Sequence, residues 1–172
     1  VPTSSTINQL SLGDALAIST LKKKKINNQD FKKYHPSGSL GEKLKTVEDV
    51  MLKQNRIPFI NEKTSMNKAL KIMTQKKLGT LIARNKSNNT TGIITDGQIR
   101  RFNSKNISFN FLKVRDVMTK NPIKIEKNTL ATKALSIMNE KKITSLCVYN
   151  KNKKNITIGI VHVHNILNKE IY

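Results

Sequence analysis

The sequence has no tryptophan, a single cysteine, and only 11 acidic residues against 32 basic ones. One thiol, Cys147, excludes an internal disulfide framework and fits a reducing, cytoplasmic setting. No apolar run approaches the roughly 20 residues that a membrane span requires, so no membrane partner is expected. No signal-like apolar segment with a cleavage site follows Val1. A start at Val1 rather than Met reads as a fragment or a processed chain. Ser-His-Asp, Cys-His and Walker-type constellations are also missing, which removes the common nucleophilic and nucleotide-hydrolysing mechanisms.

The basic excess gives a formal net charge of +21. Nucleic-acid sites favour arginine, often beside aromatics or a recognition helix. Here only five basic residues are arginine: Arg56, Arg84, Arg100, Arg101 and Arg115. The lysines are spread along the whole chain, and Lys, Asn and Ile are all abundant, as a genome-wide codon bias would make them. The charge therefore reads as a solvated surface with non-specific, salt-sensitive affinity for polyanions, not as a specific nucleic-acid site.

What the sequence does contain is a repeat. Thr64 to Ala83 (TSMNKALKIMTQKKLGTLIA) aligns with Thr129 to Val148 (TLATKALSIMNEKKITSLCV) at an offset of 65, with nine of twenty positions identical. Val47-Glu48-Asp49-Val50-Met51 matches Val114-Arg115-Asp116-Val117-Met118 at an offset of 67. Gly92-Ile93-Ile94 matches Gly159-Ile160-Val161, also at 67, so the insertions fall in loops. Two copies of one unit fill roughly residues 46 to 172.

Met66, Ala69, Leu70 and Met73 share one helical face, as do Leu130, Ala134, Leu135 and Met138; the methionines read as core. Thr64 and Thr129 stand where N-caps belong. Thr80 to Ala83 and Ser145 to Tyr149 predict buried strands. Polar loops follow at Asn85 to Thr91 and Asn150 to Asn155, then second strands at Ile93–Thr95 and Thr157–Val161. Helices near Gly97 and His164 close the units, giving β-α-β-β-α twice. His162 and His164 share a strand face, but no Cys, Asp or Glu at ligand-like spacing joins them, so no metal site is read there.

Residues 1 to 45 differ. Pro2-Thr3-Ser4-Ser5-Thr6 supplies capping hydroxyls before a helix predicted to run to about Lys25. Leu10, Leu12, Leu16, Ile18 and Leu21 surround most of it, so it should be covered on several sides, and Asp14 within that stretch needs a partner. Asp30 to Tyr34 predicts a short helix, and His35-Pro36-Ser37-Gly38-Ser39-Leu40-Gly41 a Gly/Ser/Pro loop. Some 45 residues with one helix cannot bury a useful core alone; they look like the end of a larger domain.

The paired V-x-D-V-M segments, the paired A-L-x-I-M helices and Gly92-Ile93-Ile94-Thr95-Asp96-Gly97 resemble a tandem of CBS (cystathionine-β-synthase-type) domains. With Gly13-Asp14-Ala15-Leu16-Ala17 and the H-P-x-G-x-L-G loop at His35, the whole chain resembles the C-terminal portion of arabinose-5-phosphate isomerases. Those enzymes carry a sugar-isomerase (SIS) domain followed by a CBS pair. The fold class implied is mixed α/β (α+β): the last helix and loop of an incomplete SIS domain over 1–45, then CBS domains over 46–104 and 112–172.

The resemblance implies interconversion of D-arabinose 5-phosphate and D-ribulose 5-phosphate, a step toward Kdo and lipopolysaccharide. The reaction moves a proton between C2 and C1 through an enediol and uses no cofactor; His35 matches the family's active-site histidine, and Thr3, Ser4 and Ser5 could lend hydroxyls at the edge of the sugar-phosphate pocket. The Ser-rich phosphate loop, lysine and acidic residues of such a pocket are not among these 172 residues. The chain alone is thus expected to be inactive, and the complete enzyme a cytoplasmic homotetramer.

For the CBS pair the resemblance implies a cleft that takes a nucleotide or a nucleotide-sugar, lined by Thr95, Asp96, Gln98, Arg100, His162 and Asn165. The family's ribose-gripping Asp is replaced by Gln98 and Asn165, which lack a carboxylate's charge. Arg100 and Arg101 suit an anion. The alternative reading is a stand-alone CBS module that senses an anionic metabolite; a nucleic-acid-binding protein comes third.

Overall fold

The structure is a computed structural model describing residues 2–26, 30, 34, 43–104 and 108–167. It divides into two compact units, Val1–Leu44 and Lys45–Tyr172.

In the first unit the described residues form α1 (Thr3–Lys23), which ends two residues before the predicted Lys25. Lys22 and Lys23 in its last turn complement the negative end of the helix dipole. The predicted hydroxyl cap is not made: Pro2 is the N-cap, and Ser5 Oγ and Thr6 Oγ1 instead donate to the Pro2 carbonyl at 3.1 and 2.7 Å. Every residue of α1 is exposed within its unit, Asp14 included. The predicted helix at 30–34 and the His35 loop lie outside the described residues except for Asp30 and Tyr34.

The second unit holds both repeats. Its elements are α2 (Val47–Val50), β1 (Leu52–Lys53), a 3-10 turn at Gln54–Arg56, β2 (Phe59–Asn61), α3 (Met66–Lys76), β3 (Thr80–Arg84), β4 (Thr90–Thr95) and α4 (Asp96–Asn103). The second copy gives α5 (Val114–Val117), β5 (Thr119–Lys120), β6 (Lys124–Glu126), α6 (Ala131–Lys141), β7 (Ser145–Asn150), β8 (Lys153–His162) and α7 (Val163–Leu167). Both second strands run further into the predicted loops than expected, because the β3–β4 and β7–β8 hairpins keep pairing to Thr90 and Lys153. The 3-10 turn, without a counterpart among the described residues of copy two, sits where the offset changes from 67 to 65.

Two four-stranded sheets result, ordered β2-β3-β4-β5 and β1-β8-β7-β6. The leading segment of each copy belongs to the other copy's sheet: β1 pairs antiparallel with β8, and β5 with β4. The repeated V-x-D-V-M motif explains itself here. Val47 and Val50 are buried in the second copy's core with Ala134, Met138 and Leu146; Val114 and Val117 are buried in the first copy's core with Ala69, Met73 and Leu81. Asp49 and Asp116 are N3 residues of their short helices and accept from the backbone N–H of Thr46 and Lys113 at 2.7 and 2.8 Å. Met51 then lies on Gly159, and Met118 on Gly92, where any Cβ would collide with the thioether.

Exchange also corrects the expected caps of the long helices. Thr64 and Thr129 lie one residue outside the true N-caps, Ser65 and Leu130, neither of which makes a side-chain cap. The first-turn amides of Met66 and Ala131 donate instead to the carbonyls of Leu112 and Lys45, at 2.9 and 2.8 Å. The other copy's leading segment does the capping.

Between the sheets, residues related by the repeat offset meet each other. Thr90 Oγ1 and Thr157 Oγ1 are 2.7 Å apart and buried, and Thr80 Oγ1 and Ser145 Oγ are 3.4 Å apart. Ile82 and Cys147 share an apolar cluster with Ile57 and Ile160. Self-facing equivalents are the mark of a two-fold relation, here within one chain. Burial pushes the Cys147 thiol up to about 11, so it serves as a small apolar residue.

Gly92→Val and Gly159→Val should each destabilise the second unit by about 1–3 kcal/mol through overpacking. Gly13→Ala, with open space around its Cβ, should not. Denaturant unfolding of the three variants checks this; equal midpoints would refute the seating of the methionines.

Candidate functional site

A cavity of about 480 Å³ opens between the two copies. Copy one contributes the end of β4 and the start of α4: Thr95, Asp96, Gly97, Gln98, Arg100 and Arg101. Copy two contributes Thr119 to Ile123 apart from Lys120, then Lys142 to Ser145, and His162. Five of the six residues expected in the cleft, Thr95, Asp96, Gln98, Arg100 and His162, are thus brought together; Asn165 is not on the wall. Thr119, Lys142, Thr144 and Ser145 were not foreseen. Lys142 has φ 53° at the C-cap of α6, as Lys77 does after α3. The repeated Lys-Lys at each helix end was the available signal.

The polar residues at the strand ends are largely engaged. Gln98 Oε1 accepts the Thr95 N–H at 2.9 Å, closing a capping box on α4, and Gln98 Nε2 donates to the Thr119 hydroxyl. In copy two, Asn165 Oδ1 accepts the His162 N–H at 3.1 Å in the same way. His162 stands where Thr95 stands in copy one, and its Nδ1 accepts the His164 N–H at 3.2 Å. That bond assigns the ring proton to Nε2. Burial, and then neighbouring His164, push the His162 imidazole below its ordinary value of 6.5. The two rings lie 5.0 Å apart, and no group of three or more metal-binding side chains occurs among the described residues.

Three cations, Arg100, Arg101 and Lys142, line the cavity against one carboxylate, Asp96. Arg101 Nε donates to the Gly97 carbonyl at 3.1 Å, which holds its guanidinium along α4. Leu78, Ile93, Pro122, Ile123 and Ile143 provide apolar wall. The arrangement suits a ligand with an apolar or aromatic body and an anionic group. Apolar wall with a few convergent polar and charged groups is the composition of a ligand-binding cleft.

Thr3, Ser4 and Ser5 sit in the first turn of α1, exposed within the first unit, and the Ser5 hydroxyl donates to Pro2. His35 lies outside the described residues.

Because the fold holds His162 neutral, its contribution to stability is present above the ordinary pKa and lost as pH falls below it. Unfolding free energy should therefore drop between about pH 7.5 and about pH 5.5, and drop less in His162→Thr, which copies Thr95. An identical drop in both proteins would exclude His162 as the source.

The family model described as CBS domain matches residues 47–105 and 114–171. An uncharacterized protein of Rickettsia prowazekii is 36% identical over 96% of this chain. The arabinose 5-phosphate isomerase of Francisella tularensis is 44% identical over 99% of it. The chain spans about half the length of these curated relatives, 50% and 51%. Among solved structures, an uncharacterized conserved protein from Pyrococcus horikoshii superposes with a TM-score of 0.65 at 23% identity, covering 73% of this chain and 92% of its own. The Arabidopsis thaliana CBS-pair protein CBSX2, solved with AMP, gives 0.63 at 22%, covering 72% and 93%. At such identities the structures speak for the fold alone. With both copies matched and their strands interleaved around one cleft, the chain belongs to the CBS domain family as a tandem pair.

Proposed function

We propose that this chain is the C-terminal, regulatory portion of an arabinose-5-phosphate isomerase, with the CBS pair acting on a sugar-isomerase domain to which residues 1–45 belong. The observation that carries this reading is the reach of the similarity. The isomerase of Francisella tularensis matches 99% of the chain, α1 and the His35 loop included, whereas the CBS-pair structures cover 72–73%. Segment 1–44 separates from the pair as its own compact unit, and the apolar residues of α1 are exposed within it: Leu10 is 68% and Leu16 60% accessible. A helix so apolar on several sides suits the interior of a larger α/β domain.

In that enzyme, His35 would act on the protons of the enediol interconversion between D-arabinose 5-phosphate and D-ribulose 5-phosphate, with Thr3, Ser4 and Ser5 at the edge of the phosphate pocket. An imidazole suits a proton shuttle at neutral pH because its pKa lies close by. The product would serve Kdo and lipopolysaccharide synthesis in the cytoplasm, and the enzyme would assemble as a tetramer. The CBS cleft would hold a nucleotide or nucleotide-sugar that reports on the pathway.

A second reading, a stand-alone CBS sensor, is supported by one observation: the described residues lining the cleft, Leu78 to His162, all belong to the second unit, so the CBS pair has a cleft of its own.

An isomerase assay separates the two. The 172-residue chain should be inactive on arabinose 5-phosphate, and the same chain extended by the upstream half present in its relatives should be active. His35→Ala in the extended form should lower kcat by about 100-fold or more, as loss of a general acid–base group does. An inactive extended form, or full activity in His35→Ala, would favour the sensor.

A further inference from the structure

We propose that Met118 is a reversible oxidation site: a hydroperoxide converts its thioether to a sulfoxide, which loosens the second copy's leading segment from the first copy's sheet.

The chain has five methionines, and the described residues include all of them. Met66, Met73 and Met138 are core residues, 0%, 5% and 1% exposed, and Met51 is 9% exposed. Met118 is the one that is half-buried. Its surroundings along the chain are open, since Arg115, Asp116, Thr119 and Lys120 are all exposed. Methionine oxidation follows the access of oxidant to the sulfur, so four of the five are shielded and Met118 is not.

The repeat puts two of these methionines in equivalent seats with different chemistry. Met51 Sδ rests against Gly159, and Met118 Sδ against Gly92. The residue before the seat is Ile158 in copy two and Thr91 in copy one. Ile158 packs with the apolar cluster that holds Met51. Thr91 Oγ1 instead donates to the Met118 sulfur at 3.9 Å. A thioether is a weak acceptor, whereas a sulfoxide presents a polar oxygen, so the hydroxyl is better matched to the oxidised residue than to the reduced one. The Gly92 side of the seat is closed by backbone, with the Thr119 carbonyl beside it. An added oxygen is thereby directed to the Thr91 side, which selects one of the two sulfoxide epimers.

In the reaction the sulfur lone pair attacks one peroxide oxygen. The S–O bond forms, the O–O bond breaks, and the second oxygen leaves as water or an alcohol with the proton. Sulfur gives up two electrons and the peroxide receives them. A methionine sulfoxide reductase reverses the step with two thiols, yielding thioether, disulfide and water. The oxidised side chain is larger and polar in a seat without slack. Met118 leads directly into β5, which pairs with β4 at Lys120–Gly92 and Thr119–Ile93. A side chain lifted from Gly92 strains this two-residue ladder, and with it the hydrogen bond from Gln98 to the Thr119 hydroxyl.

Treatment of the chain with hydrogen peroxide, followed over time by peptide mass mapping, tests this. Met118 should gain one oxygen at least about ten-fold faster than any other methionine of the folded chain. The oxidised chain should unfold about 4 °C or more below the reduced one, and methionine sulfoxide reductases A and B with a thiol should restore it. Met118→Leu, which nearly conserves apolar volume, should show no peroxide-induced shift. Each reductase takes one epimer, so separate digestion reads the epimer ratio. That ratio should be strongly one-sided in the native chain and near parity in Thr91→Ile, which copies Ile158. Oxidation of Met118 no faster than that of Met51, or without a fall in unfolding temperature, would overturn the proposal. So would an equal peroxide-induced shift in Met118→Leu, or an epimer ratio that Thr91→Ile leaves unchanged. The oxidation rates and the unfolding shift are read on the native chain and decide the matter without any variant.

Discussion

Met51 lies on Gly159 and Met118 on Gly92, and around these two contacts each copy lends its first ten or so residues to the other. The loan is structural at every level. The valines before each methionine fill the partner copy's core, the short strands after it extend the partner's sheet, and the backbone carbonyls beside it cap the partner's long helix. Fully burying one valine is worth roughly 1.5–3 kcal/mol, so withdrawing a leading segment removes an amount comparable to a domain's whole margin of stability. Neither repeat is therefore a free-standing unit. The cleft inherits this: its walls are fixed with respect to each other because Thr119, from one copy's loaned segment, accepts a hydrogen bond from Gln98 of the other.

The same exchange makes the pair nearly symmetric at its centre and asymmetric at its rim. Along the axis, Thr90 faces Thr157 and Thr80 faces Ser145, and small hydroxyls satisfy one another where an apolar pair of equal size would pack as well. Toward the strand ends the copies diverge. Thr95 becomes His162 and Gln98 becomes Asn165, while Arg100 and Arg101 have no basic counterpart at Leu167 and Asn168. Two copies of one unit thus build one cleft in which the first copy carries most of the charge. An imidazole at the second copy's cap adds a neutral donor there, since its Nδ1 is already an acceptor for His164.

Much of this was legible in the sequence, for a physical reason. Periodicity records burial, and it placed β3 and β7 to within a residue and the buried faces of α3 and α6 on the right side chains, Leu130 apart. The V-x-D-V-M repeat was visible as a motif, but which core its valines enter depends on a crossing of the chain that no local pattern encodes. For that reason Thr64 and Thr129 looked like N-caps: a hydroxyl before an amphipathic helix has the right chemistry, and only the tertiary structure shows that a carbonyl from another segment arrives first. At the cleft, Thr95, Gln98 and His162 were implied by the resemblance to CBS pairs, and they stand at strand–helix junctions. Lys142 carried a signal in the Lys-Lys repeated at each helix end, whereas nothing local marked Thr144, which precedes β7.

Charge is the last constraint, and it works against selectivity before it works for it. A chain of net charge +21 attracts any anion, and lysines distributed over an exposed surface do so weakly and without geometry. Such contacts fade as salt rises, because exposed charges more than about 8–10 Å apart are screened near physiological ionic strength. Within a cavity the balance changes. Apolar wall from Ile93, Ile123 and Ile143 displaces water, the two arginines are fixed on one helix, and the field of a few cations is felt at shorter range and in a lower dielectric. Among the described residues, three of the basic side chains line the cleft, Arg100, Arg101 and Lys142, and these are the ones whose effect on an anion should outlast salt. Selectivity in this protein is accordingly a property of enclosure, which depends on the interleaved strands, and not of the charge that dominates its composition.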